Sequence, residues 1–194
     1  MLFSISGLVA VLALNLSVQA APVDHIFKRQ TACFLPGRTA LPAEVANGVP
    51  ALVRAVTCTG GTSVTGVPNV SSGGIDFKSI DFQRSNKSPL GFALATFTTP
   101  ADPARADLTK LQNQLNVYLA VEAGVRSNGG GAILGQVKSA KFFIQFQIAR
   151  AQTALGQQLS VGNTVEHQLG KVIKNAGRAT AAEIAQVNAL AKVL

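Results

Sequence analysis

The sequence predicts a mainly α-helical protein: a bundle of about four to five helices with a long irregular insertion and one N-terminal disulfide. Apolar residues recur every three or four positions from residue 102 to 126, and residues 141–155 are apolar on nearly every side of a helix. Two helix-start signals follow, at Asn163 and Thr180. Helices with apolar faces bury them against one another, which favours a bundle.

The first twenty residues have the features of a secretory signal peptide. Residues 2–16 form an uncharged apolar core, and the segment that ends at Ala20 supplies the small residues that signal peptidase accepts. A transmembrane helix is the alternative, but the apolar stretch is too short and Ala-Pro-Val-Asp follows it at once. We therefore expect cleavage after Ala20, no transmembrane segment, and a secreted, extracellular protein.

A second processing site is expected at Lys28 and Arg29. A dibasic pair that closes the short segment 21–29 resembles the cleavage site of the kexin-type proteases of the fungal secretory pathway. Two ordinary surface charges are the alternative interpretation. We expect a pro-segment at residues 21–29 and a single mature domain at residues 30–194, which is long enough to bury its own core.

The two cysteines of the chain, Cys33 and Cys58, are expected to pair with each other. The secretory route is oxidising, so a disulfide is favoured over two free buried thiols. The bridge would attach the N-terminal segment of the mature chain to the domain. Residues 39–57 lie within the loop that this disulfide would close. Their helical spacing is interrupted by Asn47-Gly48 and Pro50, so we predict a short, broken helix that ends near Cys58.

Residues 59–100 are predicted to be irregular. The part from residue 59 to 74 is rich in Gly, Ser and Thr, which indicates a long surface loop. The echo IDFKSIDF at residues 75–82 alternates apolar and polar residues and permits short extended segments. Residues 88–100 are compatible with a short helix from Ser88-Pro89 or with an extended chain.

Two N-glycosylation sequons lie in this polar segment, at Asn69 and Asn86. We expect both acceptors to be accessible, and Pro89 makes the second sequon the poorer one.

The helices of the C-terminal half are easier to delimit. Asp102 is predicted to cap a helix with Pro103 in its first turn, which continues to Arg126 and ends at the glycine-rich residues 127–131. Residues 144–148 alternate as a half-buried strand does, but the good helix formers that follow them favour a central buried helix.

The last two helices begin at sequences that resemble capping boxes. Asn163 is followed at the third position by Glu166, and Thr180 by Glu183. We predict one helix after each, with Asn175-Ala176-Gly177 between them.

The chain is basic, with a formal net charge of +8, which favours anionic surfaces and polymers as partners. Its basic residues are scattered and Tyr118 is its single tyrosine, so we expect no specific nucleic-acid binding. Lys171, Lys174 and Arg178 recur on one predicted helical segment and are candidates for a small basic interaction face. A solvated surface is the alternative for them.

Groups suited to catalysis are scarce. His167 is the one histidine that remains after the pro-segment, and we expect it on the solvent side of its helix. The pairs Asp76/Asp81 and Asp102/Asp107 are the remaining candidates for a hydrolase, although the second pair also suits a helix N-terminus. We expect no catalytic, cofactor-binding or metal site, and hence no cofactor and no enzymatic activity.

A family resemblance is carried by SPLGFALATFTTPADPARADLTKLQNQLNVYLAVEAGVRS, residues 88–127, and by KFFIQFQIARAQTALG, residues 141–156. These runs resemble the small secreted proteins of filamentous ascomycete fungi, and the resemblance covers nearly all of the chain from Cys33 onward. It implies a candidate effector, a protein secreted toward a host or competitor, and it transfers no active residue.

The leading hypothesis is therefore a non-enzymatic effector or elicitor that binds a host or other extracellular target. The alternatives are a protein that binds the cell wall or a hydrophobic surface through its Phe-bearing segment or its basic face, and an extracellular hydrolase. The sequence leaves the target and the oligomeric state open.

Overall fold

The computed structural model describes residues 32–194. The processing predictions at Ala20, Lys28 and Arg29 therefore lie outside the described residues. Within residues 32–194, none of the helices has the length and apolar character needed to cross a membrane.

The described residues form seven α-helical segments and a three-stranded antiparallel sheet, joined in places by short 3₁₀ turns. The elements in chain order are α1 (Ala43–Ala46), α2 (Val49–Ala55), β1 (Thr57–Thr62), β2 (Pro68–Ser72), β3 (Ile75–Asp76), α3 (Pro89–Thr96), α4 (Leu108–Ser127), α5 (Ile133–Ala154), α6 (Val165–Lys174) and α7 (Ala181–Leu190). The mainly helical fold is confirmed, as is the break between α1 and α2 at Asn47-Gly48.

Helix α4 lies at the centre of the fold. It packs against α5, α2 and the sheet, so residues on all of its sides are buried between Val117 and Val125. Tyr118 shows how it connects these elements: its ring makes edge contacts with Phe77 and Phe97, at centroid distances of 5.4 and 5.6 Å, and its hydroxyl donates to the Ile80 carbonyl at 2.7 Å. A helix this apolar has little face to offer to water, so it is stable only when enclosed.

Helix α5 resolves the conflict over residues 144–148 in favour of a helix. The polar residues that alternate with apolar ones at 144–148 do not form a solvent-facing side of α5, because Gln147 is buried. The Gln147 amide donates to the Phe97 carbonyl at 2.9 Å, and its Oε1 accepts from Arg150 at 2.6 Å. These bonds satisfy polar groups that would otherwise be costly to bury.

The predicted disulfide is confirmed between Cys33 and Cys58, with Cα atoms 6.1 Å apart. It holds an N-terminal segment whose Phe34 is fully buried. That segment approaches the backbone of α4 closely at Gly124, where an added Cβ would lie 2.5 Å from the Phe34 carbonyl oxygen and 2.6 Å from Cγ1 of Val67. Glycine is therefore required at this contact between α4, the N-terminal segment and the connection from β1 to β2.

The prediction of a long surface loop over residues 59–74 is wrong, because these residues form most of the sheet. β2 pairs with β1 on one side and with β3 on the other, for example Thr57 with Ser71 and Ser72 with Ile75. Val67 and Val70 are fully buried. The apolar anchors are few and separated by Gly, Ser and Thr, so the sequence shows no period-two pattern.

The echo at residues 75–82 is also different from the extended segments that we expected. Beyond the two-residue strand β3, it forms consecutive 3₁₀ turns capped by Asp76 and Asp81, whose carboxylates accept from the Ser79 and Gln83 amides, each at 2.9 Å. The repeated Asp therefore marks a repeated N-cap. The open choice at residues 88–100 is resolved as α3, where Ser88 Oγ accepts from the Gly91 amide at 2.9 Å.

Two helix starts differ from the prediction. Asp102 caps only a 3₁₀ turn, and α4 begins at Leu108 with Asp107 as its cap, accepting from the Lys110 amide at 2.8 Å. The intervening Ala106 is extended, so the two turns do not join.

At the start of α6 the cap is Thr164, which accepts from the His167 amide at 3.3 Å; Asn163 lies in a 3₁₀ turn and forms no capping box with Glu166. The capping box of Thr180 and Glu183 is confirmed.

Removal of the disulfide should destabilise the protein. The paired cysteines are 25 residues apart in the sequence, so replacing both with alanine frees the unfolded chain from a closed loop. We expect the free energy of unfolding to fall by about 3.5 kcal/mol, measured by urea denaturation against the oxidised parent. An unchanged unfolding midpoint would contradict the role given to this bridge.

The close approach at Gly124 gives a second prediction. Gly124→Ala should lower the free energy of unfolding by about 2 kcal/mol, because backbone and buried side chains must move to admit a methyl group. Gly170→Ala is the matched control: it is also helical, nothing lies within 4 Å of its added Cβ, and it should stabilise α6 by about 1 kcal/mol. Thermal unfolding of the two variants compares them directly; equal effects would exclude a packing role for Gly124.

Candidate functional site

A cleft of about 560 Å³ lies where α1 and α2 meet α4, α5 and α6. Its size falls within the range of small-molecule sites, which is roughly 300 to 1,000 Å³. Most of the surface exposed in the cleft is apolar, although the neutral polar residues Gln112, Asn116 and Gln145 also line it. The apolar lining residues are Val45, Ala51, Leu52, Ala55, Leu119 and Phe142. The wall formed by α1 and α2 belongs to the segment that the disulfide closes, so the bridge also restrains one side of the cleft.

A buried charge cluster lies at the base of the cleft. Glu122 on α4 is 2% exposed and accepts from Lys141 Nζ at 2.6 Å through one carboxylate oxygen. Its other oxygen accepts from Nε and a terminal nitrogen of Arg126, at 3.1 and 3.0 Å. Arg126 is one helical turn after Glu122, whereas Lys141 reaches across from α5. Both oxygens of the carboxylate are thus engaged, and two cations face one anion.

Burial is the main cause that lowers the pKa of Lys141 from its ordinary value, and the attraction and hydrogen bond of Glu122 oppose it. The positive charges of Lys138 and Arg126 lower the pKa further. Desolvation disfavours an ammonium more than a neutral amine, which explains the direction of the shift.

Three lysines of this cleft lie close to the ring of Phe142. Their Nζ atoms lie 4.1 Å (Lys141), 6.0 Å (Lys138) and 5.7 Å (Lys171) from the ring centroid. Lys138 comes from the preceding turn of α5, and Lys171 from α6. The π face attracts cations over such distances. The ring is only partly buried, so it remains part of the cleft wall.

The charges that line the cleft do not balance. Arg126, Lys138, Lys141 and Lys171 are basic, and Glu44 and Glu122 are acidic. Of these, the ion pairs found within residues 32–194 join Glu122 to Arg126 and Lys141, so Lys138 and Lys171 have no carboxylate partner among the described residues. The arrangement can attract an anion to a mainly apolar cavity.

The predicted basic face is not formed as one surface. α6 ends at Lys174, so Arg178 lies beyond the helix in the following turn. Lys171 lines the cleft, Lys174 is exposed outside it, and Arg178 lines a separate polar pocket beside Asn86 and Lys87. The helix end at Asn175 separates residues that a continuous helix would have aligned.

The two sequons differ in accessibility. Asn69 is 4% exposed; its amide nitrogen donates to Thr59 Oγ1 at 2.6 Å, and its oxygen accepts from the Lys78 amide at 3.2 Å. The expectation of an accessible acceptor is therefore wrong for Asn69 in the folded protein, because the side chain joins the sheet to the turn after it. Asn86 is exposed. Glycosylation itself stays a prediction for both.

The residues considered for catalysis lie apart from the cleft. His167 is exposed, as expected. Asp76, Asp81, Asp102 and Asp107 are each N-caps of a turn or helix. Residues 32–194 contain no group of three or more His, Cys, Asp or Glu side chains that could hold a metal ion.

The cleft was not predicted from the sequence, although one signal of it was present. Glu122 falls on the apolar face of the predicted helix that ends at Arg126, where an acidic residue must find a buried partner. That partner is Lys141, and its proximity depends on how α4 and α5 pack.

One family model matches residues 35–194 and is described as a domain of unknown function, DUF7143. The chain belongs to the DUF7143 family. No curated protein and no solved structure matches it. The matched range of the DUF7143 domain contains every residue of the cleft, and of the two cysteines it contains Cys58.

The cluster of Glu122, Arg126 and Lys141 allows a prediction of how the loss of its carboxylate would change stability. Glu122→Gln leaves Lys141 as a buried ammonium without a counter-charge and should lower the free energy of unfolding at pH 7 by about 3 kcal/mol. Adding Lys141→Met should recover much of the loss. Glu166→Gln, at an exposed position on α6, serves as the control and should have little effect in the same urea titration.

The pH dependence of the Glu122→Gln variant checks the same interpretation. Without Glu122 the pKa of Lys141 should fall further below its ordinary value of 10.5. Between the folded and unfolded pKa values the unfolded chain binds more protons, so the variant should gain stability as the pH rises toward 10.5. If the free energy of unfolding of the Glu122→Gln variant falls as the pH rises toward 10.5, the interpretation that Lys141 is desolvated is contradicted.

Proposed function

We propose that this DUF7143 protein is a secreted, non-enzymatic binding protein that holds a small, largely apolar ligand in the cleft over Phe142. The observation that carries the proposal is the partly buried Phe142 ring, which lines, together with apolar residues of α1 and α2, a cavity large enough for such a ligand. A ligand placed there would cover apolar surface that water now contacts, which favours binding.

The polar groups of the cleft support binding in preference to catalysis. Glu122 is engaged at both oxygens by Lys141 and Arg126, so it is poorly suited to accept a proton from a substrate. The carboxylates that the hydrolase hypothesis needs act as N-caps elsewhere. The proposal therefore assigns no reacting group.

The disulfide supports an extracellular setting for this function. It closes the chain segment that forms one wall of the cleft, and such bridges persist in oxidising compartments. Together with the expected signal peptide, this is the basis for proposing that the protein acts outside the cell that makes it.

The wider role that we propose is that of a fungal effector or elicitor, in line with the resemblance carried by residues 88–127 and 141–156. The cell-wall alternative has less support, because Phe143 and Phe146 are fully buried and cannot contact a polymer. Phe142 lines the cleft, a cavity that suits a small ligand better than a flat polymer surface.

Filling the cleft should abolish ligand binding. Ala51 is exposed and lines the cleft, so Ala51→Trp would place an indole in the cavity, whereas Ala46→Trp on α1 lies outside the lining residues. Decanol below its solubility limit and decanoate below its critical micelle concentration, each titrated calorimetrically, should bind the parent and the Ala46→Trp variant in a saturable one-to-one manner. Binding to the Ala51→Trp variant should be lost.

The same pair of variants tests the wider role. If the cleft serves an elicitor, application of the parent and Ala46→Trp proteins to host tissue should change defence or growth, and Ala51→Trp should not. Failure of both decanol and decanoate to bind the parent would overturn the binding proposal, and equal responses to all three proteins would separate the tissue effect from the cleft.

A further inference from the structure

The cleft carries more positive charge than its own carboxylates neutralise. Glu122 is already bonded by two cations, so the cluster of Glu122, Arg126 and Lys141 has a surplus of positive charge at the base of the cavity. Removing the remaining charge from water is costly when no counter-ion is present. A ligand that brings one negative charge would reduce this cost.

Two further lysines define where that charge would lie. Lys138 and Lys171 come from different helices, yet both place Nζ within about 6 Å of the Phe142 centroid. Both side chains are partly exposed, line the cleft and have no carboxylate partner among residues 32–194. Both lysines place positive charge beside the same ring, and an anion bound in the cleft would be attracted by each of them.

The rest of the cavity defines the body of the ligand. The remaining lining consists of apolar residues and of neutral polar ones; these are Val45, Ala51, Leu52, Ala55 and Leu119, and Gln112, Asn116 and Gln145. This surface has no charged group except Glu44, so it suits a hydrocarbon chain or ring. We infer that the cleft selects an amphipathic organic acid, with its carboxylate at Lys138 and Lys171 and its apolar body along Phe142 and α2.

This inference rests on the proposed function and narrows it to one ligand class. A neutral ligand of the same length would gain only the apolar contacts, and a cationic one would add repulsion from the lysines. A polyanion such as nucleic acid is disfavoured at this site because the cleft is a cavity of about 560 Å³, whereas a polymer of phosphates is bound by charges spread along a surface.

The test compares three ligands that share a ten-carbon chain and differ in head-group charge: decanoate, decanol and decyltrimethylammonium. Calorimetric titration of the mature protein at pH 7 should give decanoate a dissociation constant about tenfold lower than that of decanol, which corresponds to about 1.4 kcal/mol. The cation should bind more weakly than decanol. Equal affinities for decanoate and decanol would overturn the inference and leave the proposed function intact, whereas absence of binding for both would overturn both.

A double variant assigns the preference to the two lysines. In Lys138→Gln/Lys171→Gln the affinity for decanoate should fall about tenfold, while that for decanol stays within about twofold. Lys174→Gln is the matched control, because Lys174 is on the same helix as Lys171 but is exposed outside the cleft. A fall of similar size in the control would show a general charge effect and would contradict the inference.

The salt dependence of the unmodified protein provides a measurement that needs no variant. Raising the ionic strength from about 0.05 to about 0.5 M should weaken decanoate binding and leave decanol binding nearly unchanged, because screening acts on the charge contact alone. Decanoate binding that is insensitive to salt would contradict a carboxylate held by partly exposed lysines.

Discussion

The enclosure of α4 is the constraint on which the rest of the fold depends. This helix buries residues on all of its sides over its central turns, and nearly all of them are apolar, so it is stable only if other elements pack around these turns. α5 covers one side, the sheet and α2 cover others, and the N-terminal segment closes the remainder at Gly124. The disulfide contributes by keeping that segment, with its buried Phe34, attached to the domain.

Enclosure also decides the chemistry of the cleft. Any charged side chain on the buried turns of α4 must be compensated, and Glu122 is compensated twice, by Arg126 on its own helix and by Lys141 on α5. The second cation is brought in by helix packing, and it lies beside Phe142, where Lys138 and Lys171 also converge. The same packing that completes the core therefore leaves a positively charged, mainly apolar cavity at its margin.

The sequence predicted the elements whose information is local. The Thr180–Glu183 capping box and the helix end after Arg126 depend on residues within a single turn, and both agree with the structure to within a residue. The sheet at residues 57–76 was missed because its buried valines contact α4, far away in the sequence, and show no strand period of their own. Asn69 was misplaced for the same reason: its burial depends on cross-strand and turn partners.

By itself the sequence determined the helical class and favoured the pairing of Cys33 with Cys58, since periodicity, composition and an even cysteine count suffice for these. Residues 144–148 fit a strand pattern as well as a helix, and the packing of α5 decided between the two. Only the tertiary structure decided that Lys171 belongs with Lys138 and Lys141 and not with Arg178. The spacing of charges along a chain gives their positions on one helix. Their convergence in a cleft depends on how separate helices pack, because electrostatic energy depends on distance in space and on burial.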